Sequence, residues 1–332
     1  MSQAPAGARP AADAREGDRL EHLPVTFFAA VMGLAGLTLA LHAGEGELGL
    51  PGWPALAAVA AAAAAFLGIA ALYVLKALRH PAAVAAEWHH PVKLAFFPAI
   101  SIALLLLATA LAPHAEGPAR ALWLAGAAGQ AGLMLAVVSG WIGRRPFQPM
   151  HISPAWFIPA VGNVVAPVAG VSLGYVELSW LFFATGLVFW LVLLTLVMNR
   201  LIFHDPLPGR LYPTLVILIA PPAVAYLAWG QLTGAGADPF ARILVNVAYA
   251  FAAIVALQAR AIARLPFALS FWALSFPVAA LAIASMRYGA AAGSPVHTGI
   301  GAGLLALLVL LVLGLLARTA RAIARHEICR PE

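Results

Sequence analysis

Ten histidines, thirteen carboxylates and one cysteine are the side chains of this 332-residue chain that could ligate a metal, move a proton or act as a nucleophile. Their placement argues against all three. His22, His42, His114, His204, His297 and His326 lie at the ends of apolar stretches or between them. His89 and His90 are adjacent, and neighbouring positions on a helix point in different directions. Cys329 is alone, so neither an intrachain disulfide nor a thiolate pair is available. No metal site, cofactor or catalytic residue is expected. An embedded enzyme or assembly factor would need polar groups gathered at one depth, and none are.

What stands out instead is sparse polarity on an apolar background. Lys76 and Lys93 sit within a turn of the ends of apolar segments, Glu177 opens one, and Arg287 closes another. Lys93 reads equally as a snorkelling cation and as one that draws anions to a mouth. Asn163, beside Gly162, reads as the one strongly polar side chain well inside a segment. An interhelical hydrogen bond and a place on a pore wall fit it equally. Pumps and ion-coupled carriers usually keep Asp, Glu or His within their spans to hold the coupling ion. That machinery is missing, which favours a passive or weakly coupled path over an active pump.

Lipid constrains the elements that hold these residues. Hydrophobic residues make up 63% of the chain and charged ones 10%, against about 25% charged in an ordinary soluble domain. Such a chain is an all-α polytopic membrane protein. Ten apolar segments fall at about 24–42, 53–78, 91–112, 119–141, 154–173, 177–202, 210–232, 239–263, 266–289 and 296–320. Residues 1–22 read as a disordered tail, 23–324 as a transmembrane transport domain and 325–332 as a second tail. With residue 1 in the cytoplasm, sixteen of the nineteen Lys and Arg residues fall inside, leaving Arg120, Arg242 and Arg287 outside. The positive-inside rule then makes both termini cytoplasmic, and the net charge of +6 reflects topology, not a nucleic-acid partner.

The prolines repeat. The odd-numbered segments have one at or near their start, at Pro24, Pro91, Pro154, Pro213 and Pro266, spaced 53 to 67 residues apart. Four carry proline further in: Pro98, then Pro159 and Pro167, then Pro221 and Pro222, then Pro277. The first offers Gly33 and Gly36 at comparable depth. The even-numbered segments have none inside; Pro54 and Pro239 stand at their starts, where a missing N–H is no loss. Internal proline costs a soluble helix about 3 kcal/mol and frees a carbonyl that lipid cannot satisfy. The pattern predicts ten transmembrane helices as five hairpins in a quasi-five-fold arrangement around a central pore. Five kinked helices would line it at Pro98, Pro159, Pro221, Pro277 and Gly33, with five straight ones against lipid. The positive N-terminal ends of the inner helices, with Lys93, would ring the cytoplasmic mouth.

HPVKLAFFPAIS (90–101), SPAWFIPAVGNVVAP (153–167) and SFWALSFPVAALAIASMRYG (270–289) resemble the tellurite-resistance and C4-dicarboxylate transporter family. It includes TehA-like bacterial proteins and the slow-type anion channels of plant guard cells. The likeness runs from about residue 22 to 324. It implies five hairpins in quasi-five-fold symmetry and a homotrimer in the cell inner membrane with one pore per subunit. It also implies a gating phenylalanine on the ninth helix, here Phe276, and small anions as partners: chloride- or nitrate-like ions, C4-dicarboxylates, sulfite or tellurite. Pro277 is expected to crowd the carbonyl of Ala273 and bend the helix around Phe276. The short tails point to the bacterial-type branch. An anion channel or uniporter is the reading; a proton-coupled dicarboxylate or sulfite carrier on the same fold is the alternative.

Overall fold

The computed structural model describes residues 19–143 and 147–329. Arg9, Arg15, Arg144, Arg145 and Arg330 lie outside the described residues, as does most of the 1–22 tail. Every regular element among the described residues is helical. Nine helices are long and apolar enough to cross a membrane, and the shorter Pro154–Gly170 supplies the remaining predicted segment. The α-helices are α1 (Phe28–Leu48), α2 (Trp53–Arg79), α3 (Pro81–His89), α4 (Ala99–Leu111), α5 (Glu116–Ile142), α6 (Phe157–Gly170), α7 (Val176–Phe203), α8 (Ala220–Thr233), α9 (Pro239–Ala256), α10 (Ala259–Ala263), α11 (Ser275–Ala291) and α12 (Pro295–Ala324).

Five antiparallel pairs pack as hairpins: α1 with α2, α4 with α5, α6 with α7, α8 with α9, and α11 with α12. The first members touch in a closed ring that runs α1, α4, α6, α8, α11 and back to α1. Burial separates the two sets. Four of the first members have 67–78% of their span buried, whereas the second members have 17–33%. This is the double ring that the proline spacing predicts.

Four of the five hairpin turns use a left-handed glycine, Gly49, Gly174, Gly234 or Gly293, with φ from 61° to 90°. A side chain would be strained there. The turn between α4 and α5 runs through Pro113 and His114 instead. These turns define the hairpin end of the bundle. The connections between hairpins, with α3 and α10, and both ends of the described chain define the linker end.

The inner prolines fall at a change of helical winding. Each inner helix starts as a 3-10 segment: Val25–Phe27, Lys93–Phe96, Pro154–Trp156, Tyr212–Ile219 or Leu269–Leu274. Pro98 caps the start of α4, Pro159 and Pro277 are third in α6 and α11, and Pro221 is second in α8. Each thus stands inside a continuous helical stretch, at or just after the point where 3-10 winding gives way to α. Pro167, deep in α6, is the interior one. Helix α1 runs through Gly33, whose bare Cα lets Ser275 and Trp272 close in, where a Cβ would collide with Ser275 Oγ.

At the linker end, Lys76 is sealed, not snorkelling. Its Nζ lies 3.1 Å from Glu87 Oε2 on α3 and donates to Leu23 O at 2.8 Å. Glu87 also accepts from Tyr73 Oη at 2.8 Å and from Val25 N at 3.3 Å. The pair thus grips the chain leading into α1. Cys329 packs nearby; burial pushes its thiol up, against the pull of Arg19 and Lys76.

Candidate functional site: a central lumen

The five 3-10-to-α junctions face one another across the ring axis. Met32, Ile102, Val161, Ala220 and Phe276, one from each inner helix, help enclose an apolar cavity of about 40 Å³. That is room for a few waters at most. The indole of Trp272 also lines it, but its N–H donates outward to Thr319 Oγ1 of α12 at 3.0 Å. Phe276 has no such anchor. Gly36 sits beside its ring, with space such that a Cβ would lie 3.4 Å from Phe276 Cδ2. Of the residues expected on the wall, Phe276 and Pro277 reach the cavity. Pro98, Pro159, Pro221 and Gly33 are buried but are not among its lining residues.

Towards the hairpin end the lumen widens. Leu39, Thr109, Val168, Leu227 and Ile283, again one from each inner helix, surround a vestibule of about 410 Å³. Met32 to Leu39, Ile102 to Thr109, Val161 to Val168 and Phe276 to Ile283 are seven-residue steps, about two turns or 10 Å along each helix. Constriction and vestibule are therefore in line. His42, Tyr226, Gln231 and Arg287 bring polarity to the vestibule. Arg287 Nη1 donates to Glu47 Oε1 at 3.0 Å, and His42 Nδ1 lies 3.4 Å from Glu45 Oε2. Tyr226 donates to Gly236 O at 3.1 Å. At the same end Asp238 caps α9, and hydrogen bonds from Ala241 N and Trp229 Nε1 hold its carboxyl below the usual carboxylate range.

Lys93 opens the 3-10 segment on the linker side of the constriction and is half-buried. Positions three apart eclipse in a 3-10 helix, which sets Lys93 on the face of Phe96, a lining residue of the cavity. Asn163 turns away. It donates to Pro159 O at 3.3 Å within its own helix, and its Cβ faces Gly186 of α7.

Gln130 of α5 is a polar group that does join helices. It accepts from Ser101 Oγ at 2.7 Å and donates to Pro159 O at 2.8 Å, tying α4 to α6. It is fully buried, so Asn163 is not the one deep polar side chain. Sequence reasoning passed over Gln130. Its signal was an amide set among small residues in GAAGQAG (126–132).

A ring of five hairpins around an apolar lumen points to transport, and sequence comparison decides the family. The sequence model of the SLAC1 family, voltage-dependent anion channels, matches residues 22–320. The chain belongs to that family. It is 29% identical over 305 residues to the S-type anion channel SLAH3 of Arabidopsis thaliana, covering 89% of this chain and 48% of the relative. It is 26% identical over 270 residues to the tellurite resistance protein TehA homolog of Haemophilus influenzae, covering 78% of this chain and 79% of the relative. An uncharacterized transporter of Methanocaldococcus jannaschii, MJ0576, is 26% identical over 292 residues, covering 81% of this chain and 84% of the relative. The chain spans about half the length of the plant channels SLAH3 and SLAH2. As a SLAC1-family member it is a multi-pass membrane protein of a channel and transporter family.

Proposed function

We propose that the protein is an anion channel or uniporter of the cell inner membrane. It passes chloride- or nitrate-like ions or C4-dicarboxylates down their gradients through the five-helix lumen, and Phe276 is the gate. The observation that carries this reading is the in-line pair of a wide, partly polar vestibule and a 40 Å³ apolar constriction containing Phe276. A phenyl ring across a narrow apolar bore excludes water and turns its negative face to an anion. Phe276 is free of the polar anchor that holds Trp272, and its ring packs beside Gly36. On the linker side, Lys93 and the positive ends of the inner helices draw anions in.

The rest of the assignment follows the same line. Arg79, Arg210, Arg260, Arg264, Arg318 and Arg321 crowd the linker end, which supports a cytoplasmic linker end with both termini there. A homotrimer with one pore per subunit, and sulfite or tellurite as further substrates, belong to the same proposal. So does the absence of catalysis. Among the described residues, no Asp, Glu or His lines the constriction, which favours passive flux over proton coupling.

The test is Phe276→Ala in planar bilayers. Conductance is expected to rise severalfold or more with assembly intact. Phe271→Ala is the comparison, since Phe271 packs against Phe267 with ring centroids 5.9 Å apart and does not line the cavity. A folded Phe276→Ala protein that conducts no better than the parent makes Phe276 a packing residue. Flux that follows a pH gradient would select the coupled carrier.

A further inference from the structure

The vestibule carries a charge pattern that the gate does not explain. Arg287 follows Phe276 by eleven residues on the unbroken α11, which returns it to within about 20° of the same helix face. Ile283 lies between them on that stripe and also lines the vestibule. The guanidinium is 53% exposed, so its head stands in vestibule water although it belongs to a helix otherwise packed into the ring. Arginine is the cationic side chain whose planar fork suits oxyanions. His42, the other basic group on the wall, sits against Glu45. Arg287 is thus the cation suited to oxyanions among the vestibule-lining residues.

Its partner is Glu47, in the last turn of α1. The contact joins Nη1 to one carboxylate oxygen, and Glu47 is 16% exposed, tucked behind the cation. A guanidinium has five N–H donors in a fork shaped for oxyanions, so this contact leaves donor capacity for an anion arriving from the vestibule. Apolar walls such as Leu39, Val168 and Ile283 focus the field on that spot.

We infer that Arg287 is the fixed cation that concentrates small anions in the vestibule before they meet the constriction, and that Glu47 attenuates it. For ion flow the inference rests on the channel reading; for the local potential it stands alone.

The experiment separates the two. A reporter thiol is placed at Gln231→Cys, an exposed vestibule position, in a full-length Cys329→Ser background. Its modification rates with an anionic and a cationic thiosulfonate of similar size give a ratio that reads the local potential. Arg287→Gln is expected to lower the anionic-to-cationic ratio about threefold at low salt, and Glu47→Gln to raise it by a similar factor, with both effects fading near 1 M salt. In separate proteins that keep Cys329 and lack Gln231→Cys, the native thiol at the linker end should show no change in its ratio with either substitution. A Gln231→Cys ratio that ignores Arg287→Gln, or one that moves equally at Cys329, overturns the inference. In a Phe276→Ala background, Arg287→Gln should also lower the current of anions driven in from the vestibule more than the current in the opposite direction; equal loss in both directions overturns it too. Absence of current in every variant counts against the channel reading, and the thiol ratio then decides this inference by itself.

Discussion

The two ends of α1 are each held by an ion pair, and the pairs are unlike. At the linker end the side chains of Lys76 and Glu87 are 2% and 7% exposed, and both are further engaged by contacts with Leu23 O, Val25 N and Tyr73 Oη. At the hairpin end Arg287 and Glu47 are 53% and 16% exposed and share one hydrogen bond. Taking an ion out of water costs several kcal/mol, which only a close partner and further hydrogen bonds offset, so a sealed pair has no donor to spare. A half-exposed pair contributes about 0–1 kcal/mol and keeps spare donors. The first pair fixes the fold. The second is available for ions.

Lys76→Met tests the sealed pair and should have the largest effect. It leaves Glu87 buried without its cation, a loss on the order of 3–5 kcal/mol, seen as a large drop in the unfolding temperature in detergent. Cys329 gives a local readout. Its thiol is held up by burial, so a smaller fraction is thiolate at pH 8 than in an exposed cysteine, and alkylation in the parent should be slow. Loosening the linker end should speed it. Replacing both partners, Lys76→Met with Glu87→Leu, should recover much of the loss, because hydrophobic replacement of a whole buried pair is often neutral. If Lys76→Met costs less than about 1 kcal/mol, the contrast between the two ends collapses.

Between the pairs, α1 is held by close approach, not charge. Gly33→Val would drive a branched side chain into Ser275 and Trp272, at a cost of about 1–3 kcal/mol for overpacking. Gly36→Ala should cost less, because its Cβ would meet Ala279 Cβ at 3.0 Å and the Phe276 ring at 3.4 Å. Thermal melts of the two variants rank these contacts. A reversed order would mean that α1 is pinned nearer the gate than Gly33.

These contrasts also mark how far the sequence could be read. The proline periodicity revealed five inner and five outer helices, since proline inside four of the inner segments and its absence from the interior of every partner survive in any register. It did not reveal that the prolines stand at 3-10-to-α junctions. An i→i+3 turn and an i→i+4 turn bury the same residues, and only hydrogen-bond geometry tells them apart. Phe276 was identified through the family resemblance, and the structure sets it in the cavity wall. Lys76 looked like an interfacial cation because Glu87, its partner, falls in a connection that carried no apolar pattern. Arg287 looked like the closing residue of a span, although its eleven-residue spacing from Phe276 was there to be counted.

The smallest expected effect on stability is the most informative about the hairpin end. Glu47→Gln removes the charge from a half-exposed pair but keeps a carbonyl oxygen that can still accept from Arg287 Nη1. Its stability should change by no more than about 1 kcal/mol, in either direction. The same substitution deletes the negative charge facing the vestibule cation, so the anion-favouring potential there should grow. A silent melt together with a changed potential would show that this pair is kept for its field and not for its bond. A large loss of stability would instead show that Glu47 clamps the end of α1 as Glu87 clamps its start. The two ends of the helix would then differ in exposure but not in role.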